Sequence, residues 1–400
     1  MLSTEQIPDW AADPRTRAGR VAARFRERFA SEPELWARAP GRVDLMGSHT
    51  DYNLGFVLTL PISRDTWIAA RRGDGRTVRV YSMNLDAEDE FRLDAIDRIS
   101  GSTWCNYVRG VAATLQNEGF ELTGCDAAIH GTVPLESGLS SSAALESAVA
   151  TMFAGFGDWN LTAERKALLC QKAENEFVGV KCGILDQYSS CLGRQGCALL
   201  LDCRDLSTRA VWIAGGIRIV VCNAMSRRRL SGGEYAQRRA ECEQAAALLG
   251  MSALRDVTPE MLAAGRHELP EPVARRAEFI VAESARAESL ARALTAGDRP
   301  AVAQLCAESF AGARDLYEIC SPAMSAMMDA MLAAPGVIGA RQAGAGFGGC
   351  MVALVDAART DAFRAAVRDA YYDSTQVHAE IYPVEAASGA EVFDIAEIGK

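Results

Sequence analysis

The stretch Gly138-Leu139-Ser140-Ser141-Ser142-Ala143-Ala144-Leu145 joins two predicted elements of different kind. Before it, residues 127–133 are apolar and end at the breaker Pro134, which predicts a strand. The predicted helix starts within the stretch: residues 140–156 have the apolar periodicity of a helix. Serine is favoured at a helix start, where unpaired N–H groups and the positive end of the helix dipole bind anions. Residues 138–143, here called the phosphate loop, therefore predict a phosphate site, the alternative being a serine-rich helix cap without a ligand.

A second glycine-rich stretch, Gly344-Ala345-Gly346-Phe347-Gly348-Gly349, precedes an apolar run at residues 351–355 that predicts a strand. Clustered glycines allow positive φ and let a backbone approach a ligand closely. The stretch is not a dinucleotide-binding fingerprint, because the strand follows the loop instead of preceding it. The chain also lacks a Walker A lysine motif. This glycine loop, residues 344–349, predicts either a ligand contact or a tight turn needed for packing.

The third stretch is polar: Ala39-Pro40-Gly41-Arg42-Val43-Asp44-Leu45-Met46-Gly47-Ser48-His49-Thr50-Asp51-Tyr52-Asn53. A sugar site needs such groups, because each sugar hydroxyl both donates and accepts hydrogen bonds. Residues 39–53, here called the sugar motif, therefore predict a sugar site, although a polar surface loop has a similar composition.

The remaining chain predicts a mixture of helices and strands. Apolar clusters predict strands at residues 56–60, 67–70, 78–81, 197–201 and 217–222. Periodic stretches predict helices at residues 15–30, 104–118, 162–178, 234–249, 273–296 and 360–371. The composition changes near residues 205–215, after which long Ala/Arg/Glu-rich helices dominate. We therefore divide the chain into an N-terminal lobe, residues 1–205, and a C-terminal lobe, residues 206–400.

Bulk composition narrows the function classes. The 400 residues are 49% apolar, enough for a large core, and carry a net charge of -10. Such an acidic surface argues against nucleic acid or an anionic membrane as the main partner. The twelve scattered cysteines form no CxxC pair and there are four histidines, which disfavours zinc and favours reduced thiols. The N-terminus predicts neither a signal peptide nor a membrane span. We expect a cytoplasmic protein; a mitochondrial transit peptide is the alternative, disfavoured by its acidic residues.

The three motifs resemble those of the galactokinase branch of the GHMP kinases, and they occur in the same order. The sugar motif is similar to the family's Gly-Arg-Val-Asn-Leu-Ile-Gly-Glu-His-Thr-Asp-Tyr-Asn, and the other two resemble its phosphate loop and its C-terminal glycine loop. Further similarities occur at Trp104-Cys105-Asn106-Tyr107-Val108-Arg109-Gly110, Cys182-Gly183-Ile184-Leu185-Asp186-Gln187 and Glu234-Tyr235. The resemblance extends over nearly the whole chain.

This resemblance implies an α+β fold with two lobes and an active site in the cleft between them. The implied reaction transfers the γ-phosphoryl of ATP to the anomeric hydroxyl of a galactose-configured monosaccharide, D-galactose first among them. The resemblance implies that Asp186 is the general base and that Arg42 keeps it ionised and stabilises the developing charge. It also implies that Ser142 and Glu174 hold Mg²⁺.

The remaining site residues come from the same resemblance. The implied sugar contacts are Arg42, Asp44, Ser48, His49, Asp51, Gly183, Asp186 and Tyr235. The implied ATP contacts are the adenine-pocket residues Trp104 and Tyr107, together with Gly138, Leu139, Ser140, Ser141, Ser142, Ala143 and Gly346.

Two positions depart from the family pattern. Asp44 stands where galactokinases usually have Asn, and Ser48 stands where they usually have the Glu that reaches the sugar's 6-hydroxyl. Both features resemble plant L-arabinokinases, so L-arabinose or a 6-modified sugar is the alternative substrate, as is a rewired galactose site in which Asp44 replaces the Glu. A mevalonate or homoserine kinase is disfavoured by the polar residues 49–53. A sugar sensor without activity is disfavoured by the intact phosphate loop.

Overall fold

The computed structural model describes residues 9–101, 104–135, 137–226 and 233–397. Within these ranges the strands, β1 to β12 in chain order, are Leu35–Met46, Phe56–Arg72, Thr77–Ser82, Ala87–Arg92, Cys125–Gly131, Cys197–Asp202, Thr208–Trp212, Ile217–Asn223, Val337–Gln342, Cys350–Asp356, Glu380–Val384 and Glu391–Val392. The α-helices, α1 to α12, are Asp9–Ala12, Pro14–Phe29, Trp104–Asn117, Ser141–Gly157, Ala163–Lys172, Leu185–Leu192, Glu234–Leu248, Pro259–Gly265, Glu271–Ala296, Arg299–Asp315, Pro322–Ala333 and Thr360–Thr375.

The first sheet has eight strands, in the order β12-β1-β2-β5-β3-β4, with β6 also paired to β2 and β7 to β6. All its pairs are antiparallel except the parallel pair of β3 and β5. Helices α3, α4 and α5 cover one face, where they form an apolar core with β1, β2 and β5. Helix α2 packs on the other face against Trp36 and Trp67. This sheet carries the sugar motif on β1 and brings it beside α4.

The second sheet has four antiparallel strands, in the order β11-β8-β10-β9. Helices α11 and α12 cover one face. The other face shares a core with β1, β2, β6 and helix α9, so this core joins the two sheets. In chain order the strands change sheets between β7 and β8, and β12 returns to the first sheet. The two-lobe division at residues 205 and 206 stays a prediction.

Three elements differ from the sequence predictions. The predicted strands at residues 56–60 and 67–70 form one long strand, β2, which continues through Pro61 because β1 has a bulge between Pro40 and Arg42 opposite it. The predicted helix at residues 162–178 changes after Lys172 into a π-helix, Ala173–Val178. Strand β1 was not among the predicted strands: the polar residues from Ala39 onward were interpreted as a sugar motif, whereas the structure forms a strand there and buries every residue from Ala39 to Met46.

The cysteines agree with the prediction of reduced thiols: all twelve are free, and ten of them are buried. None of the helices formed by the described residues has the length and apolar character needed to span a lipid bilayer.

Candidate active site

Arg42 joins two of the predicted site elements. It lies on β1 and donates from Nε (2.8 Å) and Nη2 (2.5 Å) to Oδ1 of Asp186, in the first turn of α6. Its third nitrogen, Nη1, donates to the carbonyl of Gly138 at 2.6 Å. The neighbouring Gly41 makes the approach possible, because a Cβ there would lie 2.7 Å from the carbonyl oxygen of Leu139. One buried guanidinium thus connects the carboxylate of Asp186 with the start of the phosphate loop.

The phosphate loop has an unusual backbone. Gly138 has φ 83° and Ser140 has φ 61°, both left-handed, and α4 begins at Ser141. Ser140 stands at the N-cap position but its side chain makes no capping hydrogen bond, contrary to the ordinary role of a serine there. Its buried hydroxyl has no partner among the described residues. The strained loop, the orphan hydroxyl and the free first-turn amides are the features of an anion site.

A group of buried acidic and amide side chains lies behind this loop. Glu174, on the π-helix, accepts hydrogen bonds from Nε2 of Gln187 at 2.6 Å and from Sγ of Cys182 at 3.2 Å, and the nearby Ser142 hydroxyl acts to lower its pKa. Gln187 also donates to Glu146, which is fully buried. Burial raises the pKa of Glu174 to about 7, with the Asp186 carboxylate adding to the shift, and burial raises that of Glu146 as well. The structure therefore brings the predicted pair Ser142 and Glu174 together.

Asp51 and Gly183 are in direct contact. A Cβ on Gly183 would lie 1.7 Å from Oδ2 of Asp51, so only glycine fits beside this carboxylate. Burial raises the pKa of Asp51 to about 6, and the nearby carboxylates of Asp186 and Asp44 add to the effect. The structure thus places Asp51 near the predicted base, as a sugar site between them requires.

His49 and Tyr235 lie together, but the imidazole is already engaged. The ring centroid of His49 is 5.4 Å from that of Tyr235, the second residue of α7. Both ring nitrogens lie at hydrogen-bond distance from other groups: Nδ1 is 2.8 Å from the hydroxyl of Tyr52, and Nε2 is 2.9 Å from the carbonyl oxygen of Ala345. The predicted sugar contact of His49 therefore has to compete with these partners.

Asp44 and Ser48 belong to a buried polar network around Arg341. The Ser48 hydroxyl is 2.9 Å from Oδ2 of Asp44, 3.1 Å from the carbonyl of Gly344 and 2.9 Å from Nη2 of Arg341. Arg341 also forms a 2.8 Å ion pair with Glu283 on α9. Asp44 and Ser48 are 0% and 1% exposed, so neither side chain opens onto solvent. Oδ1 of Asp44 has no hydrogen-bond partner among the described residues.

The two predicted adenine-pocket residues lie at the start of α3. Trp104 packs on the apolar core under the first sheet. Burial, together with the charges of Glu174 and Glu146, raises the pKa of Tyr107, which places its hydroxyl near those carboxylates. Their contact with a nucleotide stays a prediction.

Gly346 owes its conformation to packing. It has φ 76°, and a Cβ on it would lie 2.7 Å from the carbonyl oxygen of Ile319. Another glycine of the same loop lies against the residue just before the phosphate loop: a Cβ on Gly349 would lie 2.6 Å from the carbonyl oxygen of Ser137. The glycine loop is therefore close to the phosphate loop at Gly349.

The sequence predictions missed four residues that contact the predicted ones, namely Glu146, Glu283, Tyr317 and Arg341. Each is a single polar residue among apolar or helical neighbours, so no local pattern marks it. Cys182 and Gln187 lie in a stretch whose resemblance the sequence showed, but no role was predicted for either side chain. Among the residues that the structure describes, no group of three or more His, Cys, Asp or Glu side chains is arranged to hold a metal ion.

Three family models match the chain, at the following residues. The galactokinase galactose-binding signature matches residues 23–72. The GHMP kinases N terminal domain matches residues 106–194, and the GHMP kinases C terminal domain matches residues 290–373.

Individual relatives extend the similarity over nearly the whole chain. A galactokinase of Roseiflexus sp. (strain RS-1) is 45% identical over 376 residues, which cover 93% of this chain and 96% of that relative. The crystal structure of Lactococcus lactis galactokinase complexed with galactose has a TM-score of 0.90 and 32% identity, covering 94% of this chain and 99% of that one. Methanococcus jannaschii mevalonate kinase, at 18% identity and a TM-score of 0.62, covers 88% of this chain and 98% of its own and shares the fold alone.

Proposed function

Because the chain belongs to the galactokinase family of GHMP kinases and is an ATP-dependent sugar kinase, we propose that it transfers the γ-phosphoryl group of ATP to the anomeric hydroxyl of D-galactose. The observation that carries this proposal is the position of Arg42. Its guanidinium bonds both Asp186 and the Gly138 carbonyl, so one side chain spans the distance between a candidate base and the phosphate loop. The α+β GHMP kinase fold predicted from the sequence is confirmed.

Asp186 is the proposed general base. Both N–H groups of Arg42 converge on Oδ1, which leaves Oδ2 to accept the proton of the anomeric hydroxyl. The side chain of Asp186 is 28% exposed, whereas that of Arg42 is 7% exposed, so the carboxylate faces the cleft. As the hydroxyl oxygen attacks the γ-phosphorus, its proton moves to Asp186 and the bond from the γ-phosphorus to the β,γ-bridging oxygen of ATP breaks, releasing ADP. Arg42 stabilises the negative charge on the reacting oxygens.

The sugar binds between Asp186 and the Asp51–Gly183 contact in this proposal. Asp51 accepts hydrogen bonds from ring hydroxyls, and Tyr235 closes the pocket beside His49. Ser48 contributes no open hydroxyl, because its oxygen is bonded within the Arg341 network. In this proposal the Ser48 side chain therefore makes no sugar contact that would favour D-galactose over L-arabinose.

The nucleotide phosphates bind at the amides of residues 138–143, with the Ser140 hydroxyl as an additional donor. Mg²⁺ fits the Ser142 and Glu174 pair, since a hard cation takes oxygen ligands and commonly uses one or two protein groups plus phosphates. When bound, the ion neutralises charge on the phosphates. The protein side chains Gln187 and Cys182 hold the Glu174 carboxylate in place.

The test is an ADP-release assay with D-galactose, L-arabinose, D-glucose and no sugar. We expect the highest kcat/KM with D-galactose and a product whose phosphorus is scalar-coupled to the anomeric proton in NMR spectra. Absence of turnover with every sugar, or phosphate on another oxygen, would refute the proposed function.

A further inference from the structure

Two neighbouring side chains of the sugar motif bind two neighbouring carbonyls of the glycine loop. The hydroxyl of Ser48 is 3.1 Å from the carbonyl oxygen of Gly344. Nε2 of His49 is 2.9 Å from the carbonyl oxygen of Ala345. Since the motif begins on β1 of the first sheet and the loop connects β9 and β10 of the second, these hydrogen bonds join the two sheets at the site.

The far end of the glycine loop contacts the phosphate loop. The amide of Cys350 donates to the carbonyl of Ser137 at 3.1 Å, and Gly349 leaves no room for a side chain against the same carbonyl. In the middle, the amide of Phe347 donates to Ile319 at 2.7 Å. The loop is therefore fastened at three points, one of them the sugar motif and another the entry to the phosphate loop.

The hydrogen-bond partners of its two ring nitrogens determine the tautomer of His49. A carbonyl oxygen only accepts, so Nε2 carries the hydrogen that it donates to Ala345. In the neutral ring Nδ1 then accepts from the hydroxyl of Tyr52. The Tyr52 oxygen lies 2.8 Å from the hydroxyl of Tyr317, which in turn lies 3.2 Å from Sγ of Cys242. Burial raises the pKa of both tyrosines, so their hydroxyls keep the hydrogens that this chain requires.

We propose that Ser48 and His49 are positioning residues that fasten the glycine loop to the sugar motif, so that sugar and nucleotide bind with positive cooperativity. Sugar that bonds Asp51, two residues after His49, adds contacts to the turn that carries Ser48 and His49, and through these two anchors the turn holds the glycine loop beside the phosphate loop. A nucleotide that binds the ordered loop loses less conformational entropy on binding. Tyr52 and Tyr317 act through His49, by holding its tautomer. This inference rests on the proposed function.

The experiment is calorimetric titration of the intact protein with a non-hydrolysable ATP analogue and Mg²⁺, with and without saturating D-galactose. For the wild type we expect galactose to lower the Kd of the analogue by about 5- to 150-fold, the usual range of coupling between sites. The analogue must lower the Kd of galactose by the same factor, because linkage is reciprocal.

One variant removes the Ser48 anchor and a second removes the hydroxyl that supports the His49 anchor, and each has a matched control. Ser48→Ala removes the bond to Gly344, whereas Ser309→Ala removes a buried hydroxyl that bonds Arg341 and Glu283 in the same network without touching the loop. Tyr52→Phe removes the donor to His49, whereas Tyr382→Phe removes a buried hydroxyl that has no partner among the described residues. Thermal unfolding establishes which of the four variants are folded. Each folded test variant is then compared with its own control.

We expect Ser48→Ala and Tyr52→Phe to bring the coupling factor close to one, with the Kd of each ligand alone changed less than about threefold. Both controls should keep the wild-type factor. A coupling factor of one in the wild type, or an equal loss of coupling in the variants and their controls, would overturn the inference. Such a result would leave the proposed function standing if galactose is still phosphorylated, whereas failure of galactose to bind or react would contradict the proposed function itself.

Discussion

Arg42 places two N–H groups on one oxygen of Asp186, and this asymmetry sets the expected behaviour of an isosteric variant. Asp186→Asn keeps the shape of the side chain and an oxygen for Arg42, but the amide cannot take up the proton of the anomeric hydroxyl. We expect kcat to fall by about 10²–10⁴-fold, the usual contribution of a positioned base. The Kd of an ATP analogue should stay within threefold of the wild type. A variant with near-normal kcat would remove Asp186 from the role of base.

The buried carboxylate of Asp51 lowers the free energy of unfolding of the protein when it is ionised. Its pKa is 3.8 in the unfolded chain and about 6 in the fold, because burial opposes its ionised form. Between these values the folded protein binds the extra proton, so the free energy of unfolding decreases as the pH rises from about 4 to about 6 and stays lower above it. Asp51→Asn has no such ionisation. We therefore expect the variant to be more stable than the wild type at pH 8, by at most about 3 kcal/mol, with a smaller gain at pH 5.

Urea denaturation of wild type and Asp51→Asn at both pH values measures this difference. Kinetic assays on the same samples should show that the stabilised variant has lost kcat/KM for the sugar. A variant that is less stable than the wild type at pH 8 would contradict the assigned environment of Asp51.

At the scale of single elements, the π-helix Ala173–Val178 decides which glutamate faces the site. Glu174 is buried against Ser142 and Gln187, whereas Glu176, two residues later, is exposed. A hydrogen bond to a charged group contributes about 1.5–3 kcal/mol, and we take the same range for the contact of the Glu174 carboxylate with a cation. We therefore expect Glu174→Gln to raise the Mg²⁺ concentration for half-maximal activity by about tenfold to a hundredfold. Glu176→Gln is the matched control and should not shift the Mg²⁺ titration; an unshifted titration for Glu174→Gln would exclude it as a ligand.

Helix α2 is attached to the first sheet by a buried ion pair. Nη1 of Arg17 lies 2.5 Å from Oδ1 of Asp65 on β2, and Arg17 also donates to Nδ1 of His130 at 3.0 Å. Removing one partner leaves a buried charge uncompensated. We expect Asp65→Ala to lower the free energy of unfolding by about 3–5 kcal/mol.

The exposed ion pair of Arg79 and Asp126 provides the comparison, since Asp126→Ala should cost no more than about 1 kcal/mol. Both variants are measured by urea denaturation at the same pH. Equal effects of the two substitutions would show that α2 does not depend on the buried pair.

At the scale of the whole molecule, the Arg341 network balances charge across the two sheets. Asp44 on β1 and Glu283 on α9 face one arginine on β9, with Ser48 between them. Ser48→Glu adds a third carboxylate to this buried set, and we expect a loss of about 3 kcal/mol or more in the free energy of unfolding. Asp44→Asn together with Ser48→Glu removes the excess charge and restores the pair usual in galactokinases.

A double-mutant cycle tests this exchange. The two substitutions should be coupled by at least about 1 kcal/mol, within the range of about 0.5–3 kcal/mol known for contacting residues. The ratio of kcat/KM for D-galactose and L-arabinose in the same variants shows whether a carboxylate at position 48 changes the choice of sugar. If the effects of the two substitutions on the free energy of unfolding were strictly additive, the charge change at position 44 would not compensate the one at position 48.

The sequence by itself determined the family and the order of its motifs along the chain. The phosphate loop, the sugar motif and Cys182–Gln187 are short stretches, and their joint resemblance to the family's motifs, which no single residue carries, was enough to predict the fold. Helices such as α4 and α9 were likewise predictable, because their apolar residues repeat within a few turns. Strand β1 was not predicted, because its residues from Ala39 onward were interpreted as part of a polar motif and not as a strand.

Only the tertiary structure decided what the site residues contact. Ser48 is bonded to Gly344 and Arg341, and His49 to Ala345, although almost three hundred residues separate the partners. Such pairings depend on how the two sheets pack over a shared core, which is a property of the folded chain as a whole. A serine or histidine in a polar motif is equally compatible with a sugar contact and with a buried anchor. Which of these roles the side chain has depends on its burial and on whether a hydrogen-bond partner is within reach. Both are set by residues far away in the sequence.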